Sequence, residues 1–435
     1  MRESCEADGP RKGSQLVREN RRWYSAGGRL ATTVAAELGV HPDAADKLDY
    51  QVKRPRIGIL AHVLFSSIEL PDNIMTRFQI LAFDGGGIRG AFGLGFLQEL
   101  ESLTNAKVRD CFDMIAGTST GGITALGLGI GLGGQELVEF YEESGRAIFT
   151  PRPPYAPRKR WLKPVYPWLK KMALTKSGNN IDHFFISRYC PHALRDALHG
   201  GFGDLRMKDI SGPRIIAPSI NLTAGCPYVF GTPHIPMHLP DAEIPVLDVL
   251  LATTAAPTYF PHHEMPNGCS YADGGLWAGS PGLLGLAEAL RVRQLCLCDD
   301  VTPSFSTDEI FMLTIGTGTT QYSLTPPGGD AGALYWASRI ADVMMSSQVQ
   351  GLTIPLKFLL SDRVKSINFA LPDDSWKLDA VDHMEEMFDL GRQAARENAD
   401  DLSAMFLNHQ AAPYVPAKSD SELGASDIGL QRYSL

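Results

Sequence analysis

A serine flanked by small residues, Gly117-Thr118-Ser119-Thr120-Gly121, follows the apolar run Phe112–Ala116 and precedes a stretch that reads as a helix. A G-x-S-x-G sequence between a strand and a helix is a nucleophile elbow: the serine sits on a strained turn, and its small neighbours let backbone and substrate come close. The helix beginning after Ser119 points its positive end at the same place, which favours a developing anion. An ordinary glycine-rich turn is the competing reading of the five residues alone. Their placement favours the elbow.

Upstream, Asp84-Gly85-Gly86-Gly87-Ile88-Arg89-Gly90 follows the strand-like run Phe78–Phe83. Consecutive glycines turn backbone N–H groups toward one point, which suits an oxyanion. A nucleotide phosphate loop is the rival, but no Gly-Lys-Ser/Thr follows, Arg89 is the only nearby cation, and no acidic residue closes a second strand at dinucleotide-binding distance. Downstream, Tyr271-Ala272-Asp273-Gly274-Gly275 reads as a simple turn when taken alone. A serine nucleophile nevertheless needs a base, and this is a candidate acid. His262 and His263 lie close to it in sequence, but adjacent histidines in a Pro-flanked loop read as surface residues and are left out of the site. No metal-ligand cluster is visible; the one close cysteine pair, Cys296 and Cys298, lacks a second pair at zinc-binding spacing.

The elements that position these residues alternate. The strand Phe78–Phe83 leads into the glycine loop and then a helix with Leu94, Leu97, Leu100 and Leu103 assigned to one face. The strand Phe112–Ala116 leads into the serine turn and a helix from Gly121. Further strands are expected at Arg214–Ile220 and Glu309–Ile315. This order predicts a parallel α/β sheet with helices on both faces. Residues 144–181 interrupt it with nine Lys or Arg, no acid and six prolines, a loop insertion that also carries Trp161, Tyr166 and Trp168. The region 326–410 reads as helical: Leu334, Ala337, Ala341, Met344 and Met345 share one face, and Met384, Met387, Phe388, Gly391, Ala395, Leu402 and Met405 another. From Ala411 the chain reads as a loose tail. Residues 1–74, rich in charge and small residues, are either a small appended module or a segment translated upstream of a natural start at Met75. The second is the expectation, since Met75 stands just ahead of the first strand.

Composition narrows the function classes. The 435-residue chain is 44% hydrophobic and 20% charged, enough to bury a large core. Its 40 basic and 49 acidic residues, net −9, argue against bulk DNA or RNA binding. Seven scattered cysteines suggest no disulfide framework and point to a reducing cytosol. The uncharged stretch Ile115–Gly134 contains eight glycines and is not a membrane span. No secretory signal is visible.

Taken together, DGGGIRG at 84–90, GTSTG at 117–121 and DGG at 273–275 resemble the patatin-like phospholipase family, in the family's order. The run Ala252–Pro261 and Ile315-Gly316-Thr317-Gly318 resemble it too, so the likeness spans about Phe78 to Gly318. It implies a three-layer α/β/α acyl hydrolase core over 75–325 and a Ser–Asp dyad without a catalytic histidine, calcium or other cofactor. By that likeness Ser119 is the nucleophile, Asp273 the base, and Gly86, Gly87 and Thr120 furnish the oxyanion hole. Arg89 holds a lipid phosphate or supports the loop. The implied reaction is hydrolysis of phospholipid acyl esters through an acyl-serine, performed peripherally on a membrane from the cytoplasmic side. An unperturbed carboxyl near pKa ~3.9 is a weak base toward a hydroxyl, so the site must desolvate Asp273. Within the family, Met75–Leu81, Ser366–Pro372 and Trp376-Lys377-Leu378-Asp379 resemble bacterial effectors of cyclic-nucleotide antiphage signalling, which implies a cyclic di- or oligonucleotide activator. The alternatives are a constitutive lipid hydrolase and a catalytically silent binding protein on the same scaffold. The basic and aromatic insertion suits anionic head groups, a solvated lid or an anionic nucleotide, and the apolar C-terminal helices suit either a homo-oligomer or capping of the core.

Overall fold

In chain order the elements are β1 (Phe78–Phe83), α1 (Ala91–Thr104), β2 (Met114–Gly117), α2 (Thr120–Ile130), α3 (Gly134–Ile148), α4 (Pro191–Phe202), β3 (Arg214–Asn221), β4 (Cys226–Gly231), α5 (Val246–Thr253), β5 (His263–Glu264), β6 (Ser270–Asp273), α6 (Gly275–Ala278), α7 (Gly282–Cys298), β7 (Ile310–Ile315), β8 (Thr319–Thr320), α8 (Ile340–Leu360), β9 (Val364–Ile367), β10 (Ala370–Leu371) and α9 (Met384–Leu402). This computed structural model describes residues 77–155, 164–168, 170–171, 182, 185–298, 305–320, 325, 332, 336, 340–373 and 375–418. Both readings of 1–74, the cluster Arg158–Trp161, Leu334, Ala337, the side chains of Ala341 and Met345, and the tail beyond 418 lie outside the described residues.

Successive strand side chains point to opposite faces, and here both faces are apolar. From β1, Phe78, Ile80 and Ala82 enter one core while Leu81 and Phe83 enter the other. Met114 and Ala116 of β2 oppose Ile115 in the same way, as do Ile310 and Met312 of β7 against Leu313 and Ile315. The first core is completed by Leu286, Ala289 and Val292 of α7 with Leu356 and Leu360 of α8. The second is completed by α1, α2, α3, α4, α5 and α9. This is the expected three-layer α/β/α arrangement, and such doubly covered strands are characteristic of parallel sheets.

The sheet order is β5-β6-β3-β2-β1-β7-β9, with β4 also paired to β3. The five strands from β3 to β9 run parallel. The remainder departs from the expected parallel sheet: β4 and β6 pair antiparallel to β3, and β5 antiparallel to β6. A tight turn joins β3 to β4, and a connection that short permits only an antiparallel neighbour. The region read as helical likewise supplies β9 to this sheet, beside β7.

Leu94, Leu97 and Leu100 of α1 are buried, but Leu103 is 51% exposed. Each step of three residues falls short of a full turn at 3.6 residues per turn, so Leu103 has drifted about half a turn from Leu94. Helix α9 buries Met384, Met387, Phe388, Gly391, Ala395 and Leu402 of the expected face, while Met405, expected with them, lies beyond α9 and is half-buried. It crosses α1 backbone to backbone: a side chain at Gly391 would lie 2.0 Å from the Phe92 carbonyl oxygen. The chain past Ala411 is not loose through Ala417. The N–H groups of Ala411, Tyr414 and Ala417 donate to Asp110, Gly212 and Pro233, and Tyr414 is buried. None of the described helices is long and apolar enough to cross a membrane.

Candidate active site

Ser119 stands between β2 and α2 with φ 55° and ψ −119°. Positive φ costs a non-glycine residue energy, and here several contacts hold it. The N–H of Ser119 donates to the Thr253 hydroxyl at 3.1 Å, and that hydroxyl donates to the Pro218 carbonyl at 2.7 Å. The neighbouring Thr118 hydroxyl donates to Ala278 O at 2.6 Å.

The turn brings Ser119 Oγ to 2.7 Å from Oδ2 of Asp273, to which it donates, although the two residues are 154 apart in sequence. Asp273 ends β6, opposite Ser219 of β3, so the antiparallel edge delivers it. Its other oxygen, Oδ1, accepts the Gly275 N–H at 2.7 Å. Both side chains are buried. Burial pushes the Asp273 carboxyl up to about 6, with the hydrogen bonds from Ser119 and Gly275 pulling the other way. Desolvation of this kind makes a carboxylate a stronger base than an exposed one.

The glycine loop lies beside this pair. Gly85 N–H donates to Gly279 O and Ile88 N–H to Leu378 O, both at 2.8 Å. The Thr317 hydroxyl donates to Gly85 O at 2.7 Å. Of the two glycines expected to donate to an oxyanion, Gly87 lines the cleft that holds Ser119 and Gly86 does not. Gly87 adopts φ +57°, and a Cβ there would fall 2.2 Å from Leu378 O, so both conformation and space require glycine. Asp84, at the loop's start, is buried; burial pushes its carboxyl up to about 7, the Ser280 hydroxyl pulling back.

Gly87, Ser119, Thr120 and Asp273 all line one cleft, whose walls are chiefly apolar: Ile88, Ile123, Ile148, Phe149, Leu194 and Phe260 among them. The Thr120 N–H opens α2, where no intrahelical acceptor exists, and its hydroxyl is hydrogen-bonded to that of Tyr141. Arg89 is outside the lining; its Nε donates to Gly86 O at 3.4 Å, which fits the loop-supporting alternative. The histidines set aside stand apart from Asp273. His263 bonds Asp248 at 3.0 Å and His262 bonds Glu264 at 3.3 Å.

Sequence reasoning missed Thr253 as a partner of Ser119, Leu378 as the strap on the glycine loop, and the buried state of Asp84. The first two lie inside runs singled out for family likeness, but nothing local showed what they touch. The basic insertion begins later than expected, because α3 runs to Ile148. There Trp168 is 62% exposed, while Lys170 is ion-paired with Asp182, which also accepts from the Tyr166 hydroxyl at 2.7 Å. The fold also gathers His234, His238 and Glu288 into one buried group that the sequence did not reveal.

A profile for the family described as "Patatin-like phospholipase" matches residues 81–281. A Vibrio cholerae protein named cGAMP-activated phospholipase is 33% identical over 265 residues, covering 59% of this chain and 68% of the relative. A Pseudomonas aeruginosa protein of the same name is 31% identical over 350 residues, covering 78% of this chain and 94% of the relative. An Escherichia coli protein, again so named, is 33% identical over 261 residues, covering 58% and 65%.

Proposed function

The chain belongs to the patatin-like phospholipase family and is a lipid acyl hydrolase; from that premise we propose that it cleaves membrane phospholipid acyl esters with Ser119 and Asp273, and that a cyclic nucleotide switches it on. The observation that carries the chemistry is the 2.7 Å hydrogen bond from Ser119 Oγ to Asp273 Oδ2 at the wall of an apolar cleft. As Oγ attacks the ester carbonyl, its proton passes to Oδ2. A base with a pKa near 6 is better matched to this task at neutral pH than an ordinary aspartate. The tetrahedral oxyanion is received by the N–H groups of Gly86, Gly87 and Thr120, donors fixed before reaction begins. Asp273 returns the proton to the leaving lysolipid oxygen, leaving an acyl-serine. Water, deprotonated by the same carboxylate, then releases the fatty acid. The apolar lining accommodates the acyl chain.

Arg89 acts in this scheme by steadying the carbonyl of Gly86. Peripheral contact with the membrane is supported by the exposed apolar residues Ile340, Met344, Ile354 and Phe358 along α8, and the family likeness assigns it to the cytoplasmic side. Gating by a cyclic dinucleotide is supported by the names of the three bacterial relatives. The test is fatty-acid release from mixed phospholipid vesicles by wild type and Ser119→Ala, with and without a panel of cyclic dinucleotides. Release that needs both Ser119 and one nucleotide is the expected result. Equal release without nucleotide would leave a constitutive hydrolase, and no release or fluorophosphonate labelling of Ser119 under any condition would leave a silent binder.

A further inference from the structure

Away from the cleft, three side chains from separate segments converge. His234 lies just after β4, His238 in the 3-10 turn Pro236–Asp241, and Glu288 on α7. His234 Nε2 lies 3.1 Å from Glu288 Oε1 and His238 Nε2 lies 3.0 Å from the same oxygen. Their side chains are 0%, 2% and 8% exposed. None of them lines the cleft at Ser119.

We propose that His234, His238 and Glu288 form a buried binding site for a borderline divalent transition metal of the zinc class. Two imidazoles and a carboxylate are a donor set such ions take, with a fourth tetrahedral position left for water. Tetrahedral ligands about 2.0–2.1 Å from zinc lie roughly 3.3 Å from one another. The ligating atoms here all lie within 4.8 Å of each other, and the two nitrogen–oxygen separations are already close to that spacing.

The outer contacts are those a metal site needs. A ligating histidine commonly directs its other ring nitrogen to a carboxylate or another polar group, which fixes the ring and its tautomer. His238 Nδ1 faces Asp241 Oδ2 at 3.4 Å, and His234 Nδ1 lies 2.9 Å from the Thr232 hydroxyl. Asp241 is itself held by the Tyr228 hydroxyl at 2.6 Å and the Gly231 N–H at 3.0 Å. Glu288 Oε2, the oxygen not shared by the histidines, meets Arg291 at 3.4 Å. Every candidate ligand is thus oriented from behind by a second group.

The competing occupant of the same space is a proton. Without metal, burial would lower the His238 pKa, but its hydrogen bonds to Asp241 and Glu288 outweigh burial and push it up to about 9. His234, disfavoured as a cation mainly by burial, falls to about 4. An imidazolium at His238 between two carboxylates satisfies the group electrostatically, so metal and proton are alternatives that an experiment separates. In either state the cluster ties the segment after β4 to α7.

The test begins with the full-length protein purified without chelator and assayed for metal by inductively coupled plasma mass spectrometry. After chelator treatment, the protein is titrated with zinc alone against a chromogenic competitor, while the melting temperature is followed. About one equivalent per chain and a zinc-dependent rise in melting temperature are expected. Glu288→Gln and His234→Asn, checked for folding by circular dichroism, should weaken binding at least ~100-fold, and Asp241→Asn about 10–100-fold. Absence of both retained metal and zinc binding by wild type overturns the proposal and leaves the proton-bridged cluster. Zinc binding unchanged in a folded Glu288→Gln or His234→Asn variant also overturns it, since the ion then sits elsewhere.

Discussion

The N–H of Ser119 is bound at 3.1 Å by the hydroxyl of Thr253, a residue of α5 that is 134 positions away in sequence. That one hydroxyl accepts from the serine turn and donates to the β3 carbonyl of Pro218, so it locks the elbow to the sheet edge that carries Asp273.

Thr253→Val keeps the shape and deletes both hydrogen bonds. Leaving the buried Ser119 N–H and Pro218 carbonyl unpaired is expected to cost about 1–3 kcal/mol of stability. It should also lower kcat more than it raises KM, because the turn that aims Oγ relaxes. Thr253→Ser, which keeps the hydroxyl, should restore most of both. Chemical denaturation and steady-state lipid hydrolysis on the pair check the expectation.

Folding raises the pKa of Asp273 from the ordinary 3.8 to about 6, chiefly by burial. A carboxyl raised in this way supports the fold while protonated, below about pH 4. That support is lost as the pH rises through 6, where the buried carboxylate becomes a burden of roughly 3 kcal/mol, to order of magnitude. Activity should run the opposite way, because Asp273 as the proposed base must be ionised: kcat/KM should climb with pH through about 6. Asp273→Asn is therefore expected to lose turnover yet to melt higher than wild type at pH 8, with the gap closing toward pH 4. Asp84, raised to about 7, titrates in the same window. Comparing the two proteins' melting curves across pH cancels its contribution. Retained hydrolysis by the folded variant would reject Asp273 as the base.

Gly87 adopts φ +57°, and a methyl there would press on the Leu378 carbonyl oxygen at 2.2 Å. Gly87→Ala should displace the loop from its strap and misplace the proposed oxyanion donor. The expected loss is about 10²–10³ in kcat, the effect of removing one such donor. Labelling of Ser119 by a fluorophosphonate should slow in parallel, since it passes through a similar anion. Unchanged labelling would place the oxyanion elsewhere.

The amino-acid sequence by itself determined the local chemistry: a serine on a tight turn, a run of glycines after a strand, an aspartate before two glycines, and the strands and helices between them. These were legible because turns and strand patterns depend on residues only a few positions apart, where backbone sterics and the alternation of apolar side chains leave few options. The buried face of α9 and the parallel core strands could be read for the same reason. Tertiary structure alone decided which distant groups meet. Asp273 reaches Ser119 because β6 pairs antiparallel with β3 in one register. Thr253 and Leu378 act through contacts that no local pattern encodes, and His234, His238 and Glu288 converge from segments whose spacing resembles no binding motif. Leu103, assigned to a buried face by its spacing, ended exposed because helical drift accumulates with each step of three. Registers, crossings and desolvation belong to the packed chain as a whole, which is why the position of Asp273 was visible in the sequence and its raised pKa was decided only by the fold.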